Sequence, residues 1–152
     1  MNSFYNITTT IKNVIKAEPF NNETTFGDIA DIDLKKQSLF PLAHLTINNA
    51  TIHDNYVSFN MTIFFMDIVD TNNEQTTNLF EGNDNLHDIL NTQLALATRM
   101  MRVLQKSNLY TDKFELINTA NCEPFTERFD NTLAGWAVTF EAGTKDEMTF
   151  CK

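Results

Sequence analysis

The sequence predicts an α+β fold in which an antiparallel or mixed sheet of about four strands packs against two helices. Residues 56–69 alternate apolar and polar side chains, which is the period of a half-buried strand. Residues 132–142 alternate in the same way, and residues 84–106 instead carry apolar side chains at helical spacing. Together with three shorter elements, these runs give the order α-β-β-α-β-β.

The first predicted element is an amphipathic helix at residues 3–16. Its apolar side chains recur at helical spacing: Phe4, Ile7, Ile11, Val14 and Ile15. Pro19 prevents the helix from continuing much further. Residues 19–41 show no clear period, and we expect an extended arm or long loop there. The apolar residues within it argue against disorder and favour an arm that docks on a neighbour.

A long antiparallel hairpin is predicted next. Residues 42–53 and 56–69 have strand patterns and are joined by the turn pair Asp54-Asn55. From Phe64 to Val69 both faces of the second strand are apolar, which predicts that this half is covered on both sides.

The polar residues 70–83 are predicted to form an exposed loop before the main helix at 84–106. The apolar stripe of that helix comprises Leu86, Ile89, Leu90, Leu94, Ala97, Met100, Met101 and Leu104. A short strand is predicted at 113–119, and residues 123–130 are interpreted as a loop.

The last predicted strand has one apolar face formed by Ala134, Trp136, Val138, Phe140 and Ala142. We interpret Trp136 as a core residue. The neighbouring Gly135 is expected to allow close approach of another backbone or ring.

Length and composition predict a single folded domain spanning residues 1–152. The chain has 42% hydrophobic residues and 13 phenylalanines, and a chain of this size buries about two-thirds of its unfolded surface. The net charge of −9 argues against sequence-specific binding of nucleic acid and against docking on an anionic membrane. An acidic wall would still let DNA slide past.

The cysteines and the first residues of the chain predict synthesis in the cytoplasm. Cys122 and Cys151 are few and far apart, so we expect reduced thiols. The first residues lack the basic start and apolar core of a secretory signal. No run approaches the ~20 apolar residues of a membrane span.

No catalytic, cofactor or metal site is predicted. The three histidines have no metal-binding spacing: His44, His53 and His87. The acidic string of the arm lacks the pattern of a calcium loop and is interpreted as solvated or as facing a basic partner surface. Nucleophile elbows and phosphate-binding glycine loops are absent from the sequence. A pair of carboxylates brought together by the fold stays possible.

Aromatic and charged residues in three segments are candidates for contacts with other subunits, because aromatics and arginine often anchor interfaces. In the arm they are Phe20, Phe26, Asp28, Asp31 and Asp33. In the polar loop they are Leu79 and Phe80. In the segment 123–130 they are Phe125, Arg128 and Phe129, whose aromatic rings could equally fill the core.

Four segments resemble neck and tail-completion proteins of tailed bacteriophages. They are Phe40-Pro-Leu-Ala-His44, Val57–Asp70, Asp88–Leu94 and Glu123–Trp136. The predicted order of elements is similar to the tail-terminator type, and the resemblance covers the chain from about residue 40 to the end.

The resemblance implies a structural role without catalytic residues or cofactors. Proteins of this type form rings between the capsid portal and the tail tube, where they end tube growth or seal the joint. It implies a virion protein made in the host cytoplasm and assembled as a homo-oligomeric ring, for which sixfold or twelvefold symmetry is expected. Its partners would be other neck, portal-adaptor and tail proteins, with genomic DNA passing through and no membrane contact. The alternative is a small cytoplasmic α+β enzyme or ligand-binding domain.

Overall fold

A computed structural model describes residues 2–28, 39–69, 80, 85–106, 114–128 and 133–145, with the backbone alone at 2, 3, 127, 128 and 145. These residues form α1 (Asn2–Lys16), β1 (Glu23–Phe26), β2 (Leu42–Ile52), β3 (Tyr56–Ile68), α2 (Leu86–Gln105), β4 (Phe114–Leu116), β5 (Asn121–Arg128) and β6 (Leu133–Lys145). The predicted α+β class is confirmed. The predicted count of about four strands and the order α-β-β-α-β-β are wrong, because two further strands are present among the described residues.

The strands form one mixed sheet in the order β1-β2-β3-β6-β4, with β5 also pairing with β6. β1 runs parallel to β2, and the other pairs are antiparallel. The predicted hairpin is β2 and β3, and a register shift between Ile47 and Asn49 marks a bulge in it. β3 and β6 pair along their whole lengths, so they form the centre of the sheet.

The two unpredicted strands lie where the sequence pattern is weakest. β1 has only four residues and lies within the segment 19–41, which we predicted to be irregular. β5 covers most of the predicted loop at 123–130 and contains Pro124. An edge strand tolerates proline, because the proline nitrogen can face away from the ladder. The strand therefore forms in spite of a residue that argues against one.

Both helices pack on one face of the sheet and bury the main core. From α1 that core takes Ile7, Ile11 and Ile15, and from β3 it takes alternate residues such as Met61, Ile63 and Phe65. A second cluster comprises Phe40, Leu42, Met66, Phe125 and Leu133, with Phe64 and Ile68 packed against it. The prediction that the second half of the hairpin strand is covered on both sides is confirmed.

The predicted stripe of α2 is buried at Ile89, Ala97, Met100, Met101 and Leu104, and it departs from the structure mainly at positions 93, 94 and 96. Leu94 is 36% exposed, whereas Leu96 is fully buried and Gln93 is 1% exposed. The buried positions Ile89, Gln93, Leu96 and Met100 follow the three-and-four spacing of one helix face. A polar residue at position 93 hides this face in the sequence.

No helix among the described residues has the length and apolar character needed to cross a membrane.

Candidate interaction site

A cleft of about 290 Å³ lies between α1 and β1, and we name it the α1–β1 cleft. Phe4 and Tyr5 of α1 form one wall, and Phe26 of β1 forms the other, with Leu45 of β2 at the base and Lys12 at the rim. The exposed fractions of Tyr5 and Phe26 are 69% and 58%. The cleft is therefore a mostly apolar surface that is open to solvent.

The cleft borders an open edge of the sheet. β1 pairs with β2 on one side only, and no other described strand pairs with it. The backbone amides of Glu23 and Gly27 donate towards the β2 side, to carbonyl oxygens at 3.3 and 3.0 Å. Because backbone groups alternate along a strand, those of Thr24 and Phe26 lie on the outer side. The Thr24 amide donates to the Glu23 carboxylate at 3.2 Å, so the outer backbone groups of β1 pair with no other described strand and lie beside an apolar cleft.

His44 of β2 connects β1 and the residue after it to the sheet through side-chain hydrogen bonds. It is fully buried, with Nδ1 2.8 Å from the Thr25 hydroxyl and Nε2 2.8 Å from the Gly27 carbonyl oxygen. A carbonyl only accepts, so Nε2–H donates to Gly27, and Nδ1 of the neutral ring accepts from Thr25. The Thr46 hydroxyl donates to the same carbonyl at 3.0 Å. Burial lowers the pKa of His44, opposed by the Gly27 carbonyl and the Asp28 carboxylate.

The rim of the cleft carries two exposed lysines. Lys12 and Lys16 lie one turn apart on α1 and border an adjoining recess of about 250 Å³ with Asn21 and Glu23. The Asn21 side-chain oxygen is buried there without a hydrogen-bond partner among the described residues. In a chain with a net charge of −9, this rim is a local concentration of positive charge.

A partly exposed isoleucine with two neighbouring carboxylates, at Ile117, lies at the opposite edge of the sheet. Ile117 is 39% exposed, and its amide donates to the Glu141 carbonyl at 2.9 Å. Its side chain covers Gly143, because a Cβ built there would be 3.1 Å from Ile117 Cδ1. Glu115 is directly opposite Gly143 in the ladder, so Glu115, Ile117 and Glu141 share one face. We call these three residues the Ile117 knob.

The structure places the sequence-predicted candidates in different surroundings. Phe20 is 58% exposed after α1, and Phe80 is 85% exposed with its ring 5.7 Å from that of His87. Phe125 is 7% exposed and packs edge-on against Phe64, so it fills the core of this chain. The described residues do not include Asp31, Asp33, Leu79, Phe129 or the side chain of Arg128.

Sequence reasoning missed the residues that complete these surfaces. Tyr5, Lys12 and Ile117 were not predicted as contact residues. The available signal was Tyr5, an aromatic residue outside the apolar stripe of its own helix. Nothing in the sequence around Ile117 marks it as exposed.

Within the described ranges, no group of three His, Cys, Asp or Glu residues is placed to hold a metal ion. His53 Nε2 lies 3.1 Å from the Ser58 hydroxyl, but Ser58 is 1% exposed and inaccessible to a substrate. Cys122 is half-buried, and burial raises the pKa of its thiol, which disfavours the nucleophilic thiolate. Cys151 lies outside the described residues.

Comparison with protein-family models finds no family that matches this chain, and comparison with curated proteins finds no significant match either.

Proposed function

We propose that this protein is a structural component of a tailed-phage particle, where it forms a ring at the joint between head and tail. The resemblance of four segments to neck and tail-completion proteins motivates the proposal. The observation that carries it is the α1–β1 cleft, an apolar surface at an unpaired sheet edge with exposed Tyr5 and Phe26. Such surfaces are typical of contacts between proteins.

The position of the cleft supports an assembly role. It borders the segment 19–41, in which we predicted an arm that docks on neighbours, and Phe20 and Phe26 of that segment are each 58% exposed. Large exposed aromatic side chains are costly for an isolated chain, and burial against a second subunit offsets that cost.

The charge of the chain supports a place beside DNA without binding it. A net charge of −9 repels the phosphate backbone, and a channel wall that attracted DNA would slow its passage. In this proposal the ring, of six or twelve copies, contacts other neck, portal-adaptor and tail proteins while the genome passes through its lumen.

Immunogold labelling of purified virions tests the proposal directly. We expect the label at the junction between head and tail, and we expect lysates lacking the protein to contain unjoined heads and tails or tails of abnormal length. A label absent from particles, together with normal particles in its absence, would exclude the proposal.

The cleft also favours a second candidate, a small ligand-binding domain. Its volume of about 290 Å³ is near the lower limit of roughly 300 Å³ for small-molecule pockets, and Lys12 could pair with a carboxylate. Titration with small aromatic carboxylates, followed by thermal shift, tests this candidate. Binding that is lost in Phe26→Ala, in a protein absent from virions, would favour it.

A further inference from the structure

We propose that the α1–β1 cleft of one copy receives the Ile117 knob of a second copy, so that copies of this chain join head to tail. The inference rests on the proposed function and names the contact between neighbouring subunits. It is argued from the size, charge and location of the two surfaces.

The sizes of the two surfaces are compatible. The cleft, at about 290 Å³, suits one or two side chains better than a drug-sized ligand, which needs roughly 300–1,000 Å³. Ile117 is a branched apolar side chain that is 39% exposed, at the connection between β4 and β5. Apolar anchors of this kind, seated in a pocket of the partner, contribute most of the binding energy in many interfaces.

The charges around the two surfaces are complementary. Lys12 lines the cleft and Lys16 lines the adjoining recess, with Glu23 as the carboxylate beside them. At the knob, Glu115 is exposed and Glu141 is half-buried, one on each side of Ile117. Two copies with a net charge of −9 repel each other at a distance, so a local match of lysines with carboxylates selects one orientation.

The two surfaces lie at opposite ends of one sheet. The cleft borders β1 and the knob follows β4, and these strands are the two ends of the order β1-β2-β3-β6-β4. A contact between unlike surfaces leaves one cleft and one knob free in every dimer. Addition of copies therefore continues until the rotation closes a ring.

The knob and cleft form the centre of a larger contact. A stable interface buries about 800 Å² on each partner, which is more than three side chains supply. Further area has to come from other exposed side chains of the same segment, such as Phe20, which is 58% exposed. Lys145, the last residue of β6, lies two positions beyond Gly143. None of the variants described below changes it.

Charge reversal tests the orientation. We expect Lys12→Glu with Lys16→Glu to weaken self-association at least tenfold in sedimentation velocity, and Glu115→Lys with Glu141→Lys to do the same. The chain carrying all four substitutions should recover association, because the two sides are again complementary. Failure of the fourfold variant to recover association, while it folds as judged by circular dichroism, would overturn the inference.

A mixing experiment tests whether the contact joins unlike surfaces. Phe26→Asp removes the cleft and Ile117→Asp removes the knob, and we expect each variant to be monomeric alone. An equal mixture should give dimers and nothing larger, since only one productive cleft–knob pair is possible. If Ile117→Asp does not fold, the variant Glu115→Lys with Glu141→Lys replaces it. Ile52→Asp is the matched control, because Ile52 is 84% exposed at the end of β2 and away from both surfaces; it should associate like the natural chain.

The outcomes separate this inference from the proposed function. A natural chain that stays monomeric at about 1 mM, which corresponds to a very weak contact, or a mixture without dimers, overturns the inference. A protein found at the neck of the virion whose cleft and knob variants assemble normally retains the proposed function and loses this contact.

Discussion

At Gly135, β6 approaches β3 too closely for any side chain. A Cβ built there would lie 1.8 Å from the backbone carbonyl oxygen of Phe65. The sequence predicted a close approach at this glycine, and the structure identifies the backbone that makes it.

Gly135→Ala should destabilise the fold by about 3 kcal/mol, because backbone rather than a flexible side chain has to move. Urea denaturation measures the loss. Gly143→Ala is the matched control, since its nearest neighbour is the end of the Ile117 side chain at 3.1 Å, and it should cost less than about 1 kcal/mol. Equal losses in the two variants would contradict this account.

His44 gives the edge of the sheet a dependence on pH. Burial lowers the pKa of His44 from its ordinary value of 6.5. Between that value and the folded pKa, the unfolded chain binds more protons than the folded one. The free energy of unfolding therefore falls as the pH decreases through this window and levels off below it.

His44→Gln should flatten this fall while costing about 1–2 kcal/mol at pH 8 through the altered hydrogen bonds. Urea unfolding at pH 8 and at a series of pH values below 6.5 measures both effects. Thr25→Val removes the hydroxyl bonded to Nδ1 but keeps the titrating ring, so it should lose stability and retain the slope. An unchanged slope in His44→Gln would show that another group carries the dependence.

At the scale of elements, truncating individual leucines of α2 tests which of them is buried. Leu96→Ala should destabilise the fold by about 3 kcal/mol, because a fully buried leucine leaves a cavity. Leu94→Ala, at a position that is 36% exposed, should cost less than about 1 kcal/mol. Chemical denaturation of both variants checks the assignment. The reverse order would restore the face predicted from the sequence.

Elements with a strong pattern could be predicted from the sequence, and short edge strands could not. β3 and β6 were evident because apolar residues recur at every second position along one face of each strand. β1 has four residues, two of them threonines, and no period can be seen over that length. β5 was hidden by Pro124, which normally interrupts a strand.

The candidate site was only partly visible in the sequence. Phe26 was proposed for its aromatic ring, and it lines the cleft. Tyr5 and Lys12 join it through the packing of α1 beside β1, a tertiary contact between residues about 20 positions apart. Phe125, proposed on the same grounds as Phe26, is buried instead, because its strand pairs with β6 and faces Phe64.

At the scale of the whole molecule, stability is expected to decrease from the centre of the sheet to the β1 edge. β3 and β6 pair along 13 positions and carry much of both clusters, whereas β1 pairs at four positions on one side. Cooperative opening starts where buried contacts are fewest.

Amide hydrogen exchange should therefore be slowest in β3 and β6, through global unfolding, and faster in β1 through local opening. Mass spectrometry at low protein concentration measures this gradient. The amides of α2 around Leu96 provide an internal reference inside the core. Equal protection of β1 and β3 would show that the edge opens only with the whole molecule.

Because of Pro124, the two edge strands β5 and β1 differ in how readily another polypeptide can pair with them. In β5, Pro124 has no backbone N–H to donate. Another polypeptide therefore cannot add to β5 as a regular strand, and this disfavours fibre growth. The edge strand β1 contains no proline, and it is only four residues long. Between β1 and β5, regular main-chain pairing with another molecule is thereby limited to one short segment, and a lasting contact at these two strands has to be selected by side chains.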